Sequence, residues 1–260
     1  MKKILCLILV TVLSFGVLGC SSTEQEVKTY DDEFIKSLAT GLESRWDLND
    51  KYDDLVNKGE IKESDQKKII EYYGKFVNAE LSNIEKYKDL KFKDSKLQES
   101  AISYINLLKK QKEGVEEMRV DMNKGIEMWG EGYQQRSKLI TIFKDDYNLT
   151  ISDKHKKNLD DFGKVSNQVQ DNENIEKEVD KAKFKVTNSS GGWKDYEAVI
   201  ENTTNTDYDY FNIKINLLDK DEVILESTSA YVENWKAGQK ARFKFSTDRD
   251  FDSMSRECEY

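Results

Sequence analysis

Proline is absent from this chain of 260 residues. Average usage is about 5%, and since proline breaks helix interiors, its absence suits long uninterrupted helices. Histidine occurs once, at His155, and cysteine three times, at Cys6, Cys20 and Cys258. A zinc centre built on histidine and cysteine ligands therefore has too few donors. A nucleophilic triad fails for the same reason, because Cys258 lies far along the chain from the one imidazole. Basic residues are outnumbered, with 41 Lys and Arg against 50 Asp and Glu and a net charge of -9. Such a field repels phosphate, so nucleic acid is excluded as a partner. The one long apolar run, Ile4 to Leu18, is shorter than the roughly 20 residues that span a bilayer.

What is present begins with that run. Lys2 and Lys3 precede it and Val17-Leu18-Gly19-Cys20 closes it, the order of a secretory leader with a small residue at its cleavage point. The stretch resembles the lipobox of bacterial membrane lipoproteins of the Gram-positive type, with Val17 and Leu18 departing from the commonest residues. The resemblance implies cleavage between Gly19 and Cys20 and a diacylglyceryl thioether on the Cys20 sulfur. Two acyl chains at about 0.8 kcal/mol per buried CH₂ hold a protein stably. The predicted location is the extracytoplasmic side of the cell membrane, lipid-anchored. Cys258 is then the only free thiol, so no internal disulfide forms. A polar tether of residues 20–29 spans at most about 30 Å.

Residues 30–170 carry helical periodicity. Phe34, Leu38, Leu42 and Trp46 mark a first helix from Tyr30 to Lys58, which Gly59 ends. Ser64 and Asp65 signal the start of a second, with Ile69, Tyr73, Phe76, Leu81 and Ile84 on one face. Asp94-Ser95 begins a third, whose apolar seam runs in three-and-four spacing to Tyr147. As one helix it would be a rod of about 75 Å, so a kink or short break is expected where Gly125, Gly130 and Gly132 cluster. A further helix starts at Ser152-Asp153. Residues 171–182 are so charged that they read equally as its extension or as an interdomain linker.

From residue 183 the period shortens. Alternation of apolar and polar residues between turn-forming stretches, such as Ser189-Ser190-Gly191-Gly192 and Lys236-Ala237-Gly238, predicts about five or six antiparallel strands in a small sandwich. Ile215-Asn216-Leu217-Leu218-Asp219, with Glu201-Asn202-Thr203-Thr204 before it and Asn234-Trp235-Lys236-Ala237-Gly238 after, resembles the FxLYD domain of bacterial envelope lipoproteins. That resemblance covers residues 183–260 and implies an immunoglobulin-like sandwich without catalytic residues. Leu218 stands where the motif has Tyr, and Glu222 where the hairpin usually has Gly.

The predicted fold is therefore α+β in separate domains: an N-terminal all-α elongated helical bundle and a C-terminal antiparallel immunoglobulin-like β-sandwich. Two places could meet a partner. Trp129, Tyr133 and Arg136 share one helical face and could line a groove, although a Trp and a Tyr one turn apart also describe ordinary bundle core. Tyr208 and Tyr210 fall in what reads as an exposed loop. Asp248, Asp250, Asp252 and Glu259 match the first, third, fifth and twelfth positions of a calcium-loop template, but Ser253 occupies the place of its turn glycine. The sequence calls for no cofactor. It predicts a non-catalytic binding or interaction lipoprotein whose partners are the membrane, through Cys20, and an unidentified protein or cell-wall polymer. The competing reading is an accessory factor or enzyme acting on wall polymer through surface carboxylates.

Overall fold

The computed structural model describes residues 28–260, so the predicted cleavage and lipidation positions Gly19 and Cys20 lie outside the described residues. Five helices come first: α1 (Asp31–Asn57), α2 (Gln66–Ile84), α3 (Ser95–Glu117), α4 (Met122–Tyr147) and α5 (Lys156–Lys181). Phe34, Leu38, Leu42 and Trp46 stand one turn apart on α1 and are buried. Each such side chain stabilises the fold by roughly 1.5–3 kcal/mol through burial. Phe34 sits edge-to-face with Tyr87, Phe92 and Phe143 at centroid distances of 5.6, 5.6 and 5.5 Å, knitting the first helix to the rest of the bundle.

The helix ends follow local chemistry. Gly59 takes a φ of 72°, which ends α1 with its amide bonded to the Val56 carbonyl. Asp94 and Asp121 cap α3 and α4, each carboxylate accepting two backbone amides of the first turn. The expected cap at Ser64-Asp65 is not formed. Asp65 precedes α2 but its carboxylate accepts from the Lys62 amide and closes a turn.

The expected interruption of the third helix is real but lies elsewhere. The chain turns at Met118–Asp121, and α4 runs back antiparallel along α3. Gly125, Gly130 and Gly132 lie inside α4 and do not break it. Gly125 serves the hairpin differently: a Cβ there would come within 2.5 Å of the Met118 backbone nitrogen and 2.7 Å of the Gly114 carbonyl oxygen. The two helices can approach this closely only because the side chain is missing.

Strands β1 (Lys185–Ser190), β2 (Trp193–Glu201), β3 (Tyr208–Leu218), β4 (Ile224–Trp235), β5 (Lys240–Thr247) and β6 (Ser253–Glu259) follow. They form two antiparallel three-stranded sheets, ordered β1-β2-β5 and β4-β3-β6. Alternate residues of β3, Phe211, Ile213, Ile215 and Leu217, are fully buried and face Phe243 and Phe245 of β5 within one core. This is the period-two pattern of a sheet with one covered face.

Residues 171–182 are not a linker. α5 continues to Lys181, and Ile175 and Val179 are buried in the same core as the sheets. Its first half contributes Leu159 and Phe162 to the helical core. The Arg256 guanidinium of β6 donates to the carbonyl of Asp180 at the C-terminus of α5, at 2.9 Å, which satisfies one of the helix's last carbonyls. One helix thus belongs to two cores.

Candidate functional site

The helical half encloses a buried ionic network. Glu80 on α2 receives Nη1 of Arg45 at 2.9 Å, Nη2 of Arg136 on both carboxylate oxygens, and the Tyr104 hydroxyl. The Gln111 side-chain carbonyl accepts from Arg136 at 2.9 Å and Arg45 at 3.3 Å, and its amide donates to the Trp129 carbonyl at 3.1 Å. Arg45, Glu80, Arg136, Tyr104 and Gln111 are all buried. Burial alone would raise the Glu80 pKa, but Arg136 and Arg45 hold it below the ordinary carboxylate value. Burial lowers the pKa of Arg45, helped by the like charge of Arg136, and raises that of Tyr104, helped by Glu80. The phenol stays neutral. The network therefore holds two guanidinium groups and one carboxylate.

Directly beside it lies a cavity of about 320 Å³ between α1, α2, α4 and α5. Its walls are aromatic: Trp46, Tyr52, Tyr73, Phe76, Trp129, Tyr133 and Phe162 line it, together with Arg45, Asn49, Asp53, Asn158 and Asp161. Tyr73 packs on Trp129 with ring centres 4.6 Å apart, and Tyr133 on Phe162 at 5.0 Å. Asn49 Oδ1 is buried without a hydrogen-bond partner. Of the three residues predicted to form a groove, Trp129 and Tyr133 do line the cavity. Arg136 does not. It is fully buried and bonded to Glu80, and Arg45 is the arginine among the lining residues instead.

The other predicted residues are placed differently. Tyr208 and Tyr210 belong to β3 and not to an exposed loop. Tyr208 is buried and packs on Phe211 and Trp235. Tyr210 is half exposed and lies against Tyr231 at 5.8 Å, and Tyr208 and Tyr210 line one open pocket with Tyr260. The calcium-template residues are not gathered into a loop. Asp250 pairs with Lys194 at 2.6 Å, Arg249 approaches Asp248 at 3.8 Å, and Glu259 sits at the end of β6, where it accepts from Asn212. Residues 253–259 are extended strand, which carries Glu259 away from the aspartates.

One constellation has no counterpart in the sequence reading. His155 is buried against Trp46, and its Nε2 lies 2.8 Å from Asp47 Oδ1. Asp47, Asp50 and His155 bring three donor groups of metal-binding type within 4.8 Å. The Lys154 ammonium already bridges both carboxylates, and with His155 it lowers the Asp47 pKa. The cluster ties the start of α5 to α1. Cys258 is half-buried, and burial pushes its thiol up to about 12, which makes it an inert group.

No protein-family model, curated protein or solved structure matches this chain.

Proposed function

We propose that this protein is a lipid-anchored binding protein of the cell envelope, held through a diacylglyceryl group on Cys20, and that it acts by binding and not by catalysis. The observation that carries the binding half is the aromatic cavity beside the ionic network. Ligand sites are concave and mostly apolar, with a few placed polar groups and a volume of about 300–1,000 Å³. The cavity has a volume of about 320 Å³ and seven aromatic side chains among its lining residues, with Arg45, Asn49, Asp53, Asn158 and Asp161 as the polar ones. The anchoring half rests on Val17-Leu18-Gly19-Cys20 and the apolar run before it. No described helix is long and apolar enough to cross a membrane.

The β half is read as an immunoglobulin-like sandwich of FxLYD type. Two antiparallel sheets over one core support that reading. So does the turn after β3: Asp219 accepts the amides of Asp221 and Val223, and Glu222 takes a φ of 62°, the conformation glycine favours.

An enzyme acting on wall polymer is the second reading, because Asp53 and Asp161 both line the cavity. A glycosidase needs one carboxylic acid with a raised pKa to protonate the leaving group. Asp161 moves the other way, held below the ordinary value by the Lys164 ammonium.

Two measurements test the proposal. Radiolabelled palmitate should enter the wild-type protein and not Cys20→Ser, and equal labelling of both would remove the anchor. A thermal-shift survey of amino acids, sugars, nucleosides and amines should find a ligand that raises the wild-type Tm and loses its effect in Trp129→Ala. If no compound raises Tm, the cavity is not a binding site. Release of reducing sugar ends from purified wall polymer, abolished by Asp53→Asn, would favour the enzyme.

A further inference from the structure

Arg45 and Arg136 belong to one network, yet their remaining nitrogens meet different surroundings. The bonds from Arg45 to Glu80 and Gln111 both leave from Nη1. Among the described residues its Nε and Nη2 have no hydrogen-bond partner, and neither is one of the unpartnered polar atoms sealed away from solvent, as Arg136 Nε is. The 4% of the Arg45 side chain that stays exposed therefore includes N–H groups, and Arg45 lines the aromatic cavity. One edge of a guanidinium, more than nine-tenths buried, is left open there.

The network behind that edge carries one excess positive charge. Arg45 and Arg136 share the single carboxylate of Glu80, and the remaining partners, Tyr104, Gln111 and the Trp129 carbonyl, carry no charge. A buried ion without a counter-ion is strongly unfavourable. The Trp129 ring lies 5.0 Å from the Arg45 guanidinium carbon, a contact that offsets only part of a full charge. The two acids among the lining residues do not supply the rest. Asp53 stands two helical turns from Arg45, about 12 Å along α1, and is exposed to water, where salt screens it. Asp161 is paired with the Lys164 ammonium at 2.6 Å.

Tyr133 adds a donor. It lines the same cavity within the field of both guanidinium groups, and burial raises its pKa. Its hydroxyl stays protonated and has no hydrogen-bond partner among the described residues. An acceptor of negative charge is therefore wanted at Arg45, inside aromatic walls.

We propose that the cavity binds a small aryl monocarboxylate, with its carboxylate on the open Nε and Nη2 edge of Arg45 and its ring among Trp129, Tyr73 and Tyr133. This deepens the binding reading by naming the ligand class, and it rests on that reading. The open edge presents two N–H groups side by side, the fork that matches a carboxylate bidentately. One negative charge balances the excess. A phosphate monoester or a dicarboxylate overshoots it and brings a second charge towards Asp53 and Asp161. A cation meets the guanidinium, and a neutral sugar leaves its charge unbalanced. The ring follows from the walls, where Tyr73 packs on Trp129 at 4.6 Å and Tyr133 on Phe162 at 5.0 Å, separations at which aromatic rings pair favourably.

Isothermal titration of the full chain in detergent with benzoate, phenylacetate, 3-phenylpropionate and indole-3-acetate, one at a time, tests the proposal. The tightest binder is then compared with its primary amide, which keeps the shape and loses the charge, and with phenyl phosphate. The acid should bind at least about tenfold more tightly than either, as expected when a charge-assisted pair is removed or overcharged. Arg45→Met leaves Glu80 and Arg136 as a balanced pair and should erase the preference for acid over amide. If that variant does not fold, the amide and phosphate comparisons on wild type still decide. Asp53→Asn, at an exposed position, should tighten acid binding by about twofold to threefold while the unliganded protein melts as wild type. An amide that matches its acid, phenyl phosphate that binds more tightly, or an acid preference that survives Arg45→Met overturns the ligand class. No heat from any of the acids at about 10 mM also overturns it. The thermal-shift survey, with these acids added to it, judges the binding reading separately, since a sugar, nucleoside or amine that raises Tm leaves the cavity as a site for another class.

Discussion

Glu80 on α2 and Arg136 on α4 are paired where neither side chain has any solvent exposure, and Arg45 on α1 donates to the same carboxylate. Three helices are thereby joined through one charge. Such a centre is sensitive to which member is removed, because losing a partner strands whatever is left.

The members should differ in a definite order. Glu80→Leu leaves two guanidinium groups buried without a carboxylate and should cost about 3–5 kcal/mol or more. Arg45→Met leaves Glu80 and Arg136 as a balanced pair and should cost clearly less, since methionine also fills the volume with an apolar chain. Urea unfolding of both variants reads the difference. Equal losses would mean that the charge imbalance carries no energetic weight.

Gly125 and Gly130 lie on the same helix and should respond oppositely to alanine. At Gly125 the added methyl meets the backbone of Met118 and Gly114 at 2.5 and 2.7 Å, and forcing α3 and α4 apart should cost about 1–3 kcal/mol. At Gly130 nothing lies within 4 Å, so alanine should gain about 0.5–1 kcal/mol of helix propensity. Thermal melts of the two variants are the check, and a stabilising Gly125→Ala would contradict the close-packed hairpin.

Much of the bundle was legible because its signals are local. Phe34, Leu38, Leu42 and Trp46 repeat at one helical turn, and Asp94 caps where it was expected to. The hairpin at Met118–Asp121 was not, since that turn contains neither proline nor glycine, and apolar spacing happens to continue across it. Asp121 was the one available sign, as a capping residue before a new helix. The charged segment 171–182 buries only two apolar side chains, Ile175 and Val179. In the site, Trp129 and Tyr133 were legible as a shared helical face. Arg45 and Glu80 were not, because in a chain with 35% charged residues an isolated Arg or Glu looks like solvated surface. Only the tertiary fold brings together ions that are 35 and 56 positions apart in sequence.

Asp31 should make stability depend on acid. Its carboxylate accepts the amides of Lys93 at 2.8 Å and Asp94 at 2.9 Å, tying the start of α1 to that of α3. Partial burial would raise its pKa, but these backbone bonds prevail and hold it below the ordinary 3.8. A depressed folded-state pKa gives stability that is present above the unfolded value and is lost as pH falls through the folded one. Asp31→Asn should therefore cost about 1–2 kcal/mol at neutral pH, and the gap to wild type should close as the pH falls below about 3.8. A gap that stays constant with pH would show that the amide bonds so little distinguish the ionised carboxylate that no linkage exists.

The shared helix should make the β half dependent on residues that precede it. Ile175 and Val179 are 0% and 1% exposed within the sheet core, and Thr206 donates to Asp171 at 2.8 Å from the loop before β3. A fragment of residues 183–260 would leave the apolar surface those side chains cover open to water. Large-to-small removal of one buried isoleucine costs about 2–5 kcal/mol, so losing both aliphatic side chains consumes much of the roughly 5–15 kcal/mol that holds a domain. A fragment beginning at residue 168 retains them together with the Arg256 bond to the end of α5. It should melt cooperatively and well above the shorter fragment, which should be partly unfolded or aggregated at the same temperature. Ile175→Ala in the full chain should destabilise the sheet core in the same direction, and its near-ultraviolet circular dichroism should report loss around Trp235. If the two fragments melt alike, α5 merely lies on the sheets and the β half is a self-sufficient domain, as its sequence alone had suggested.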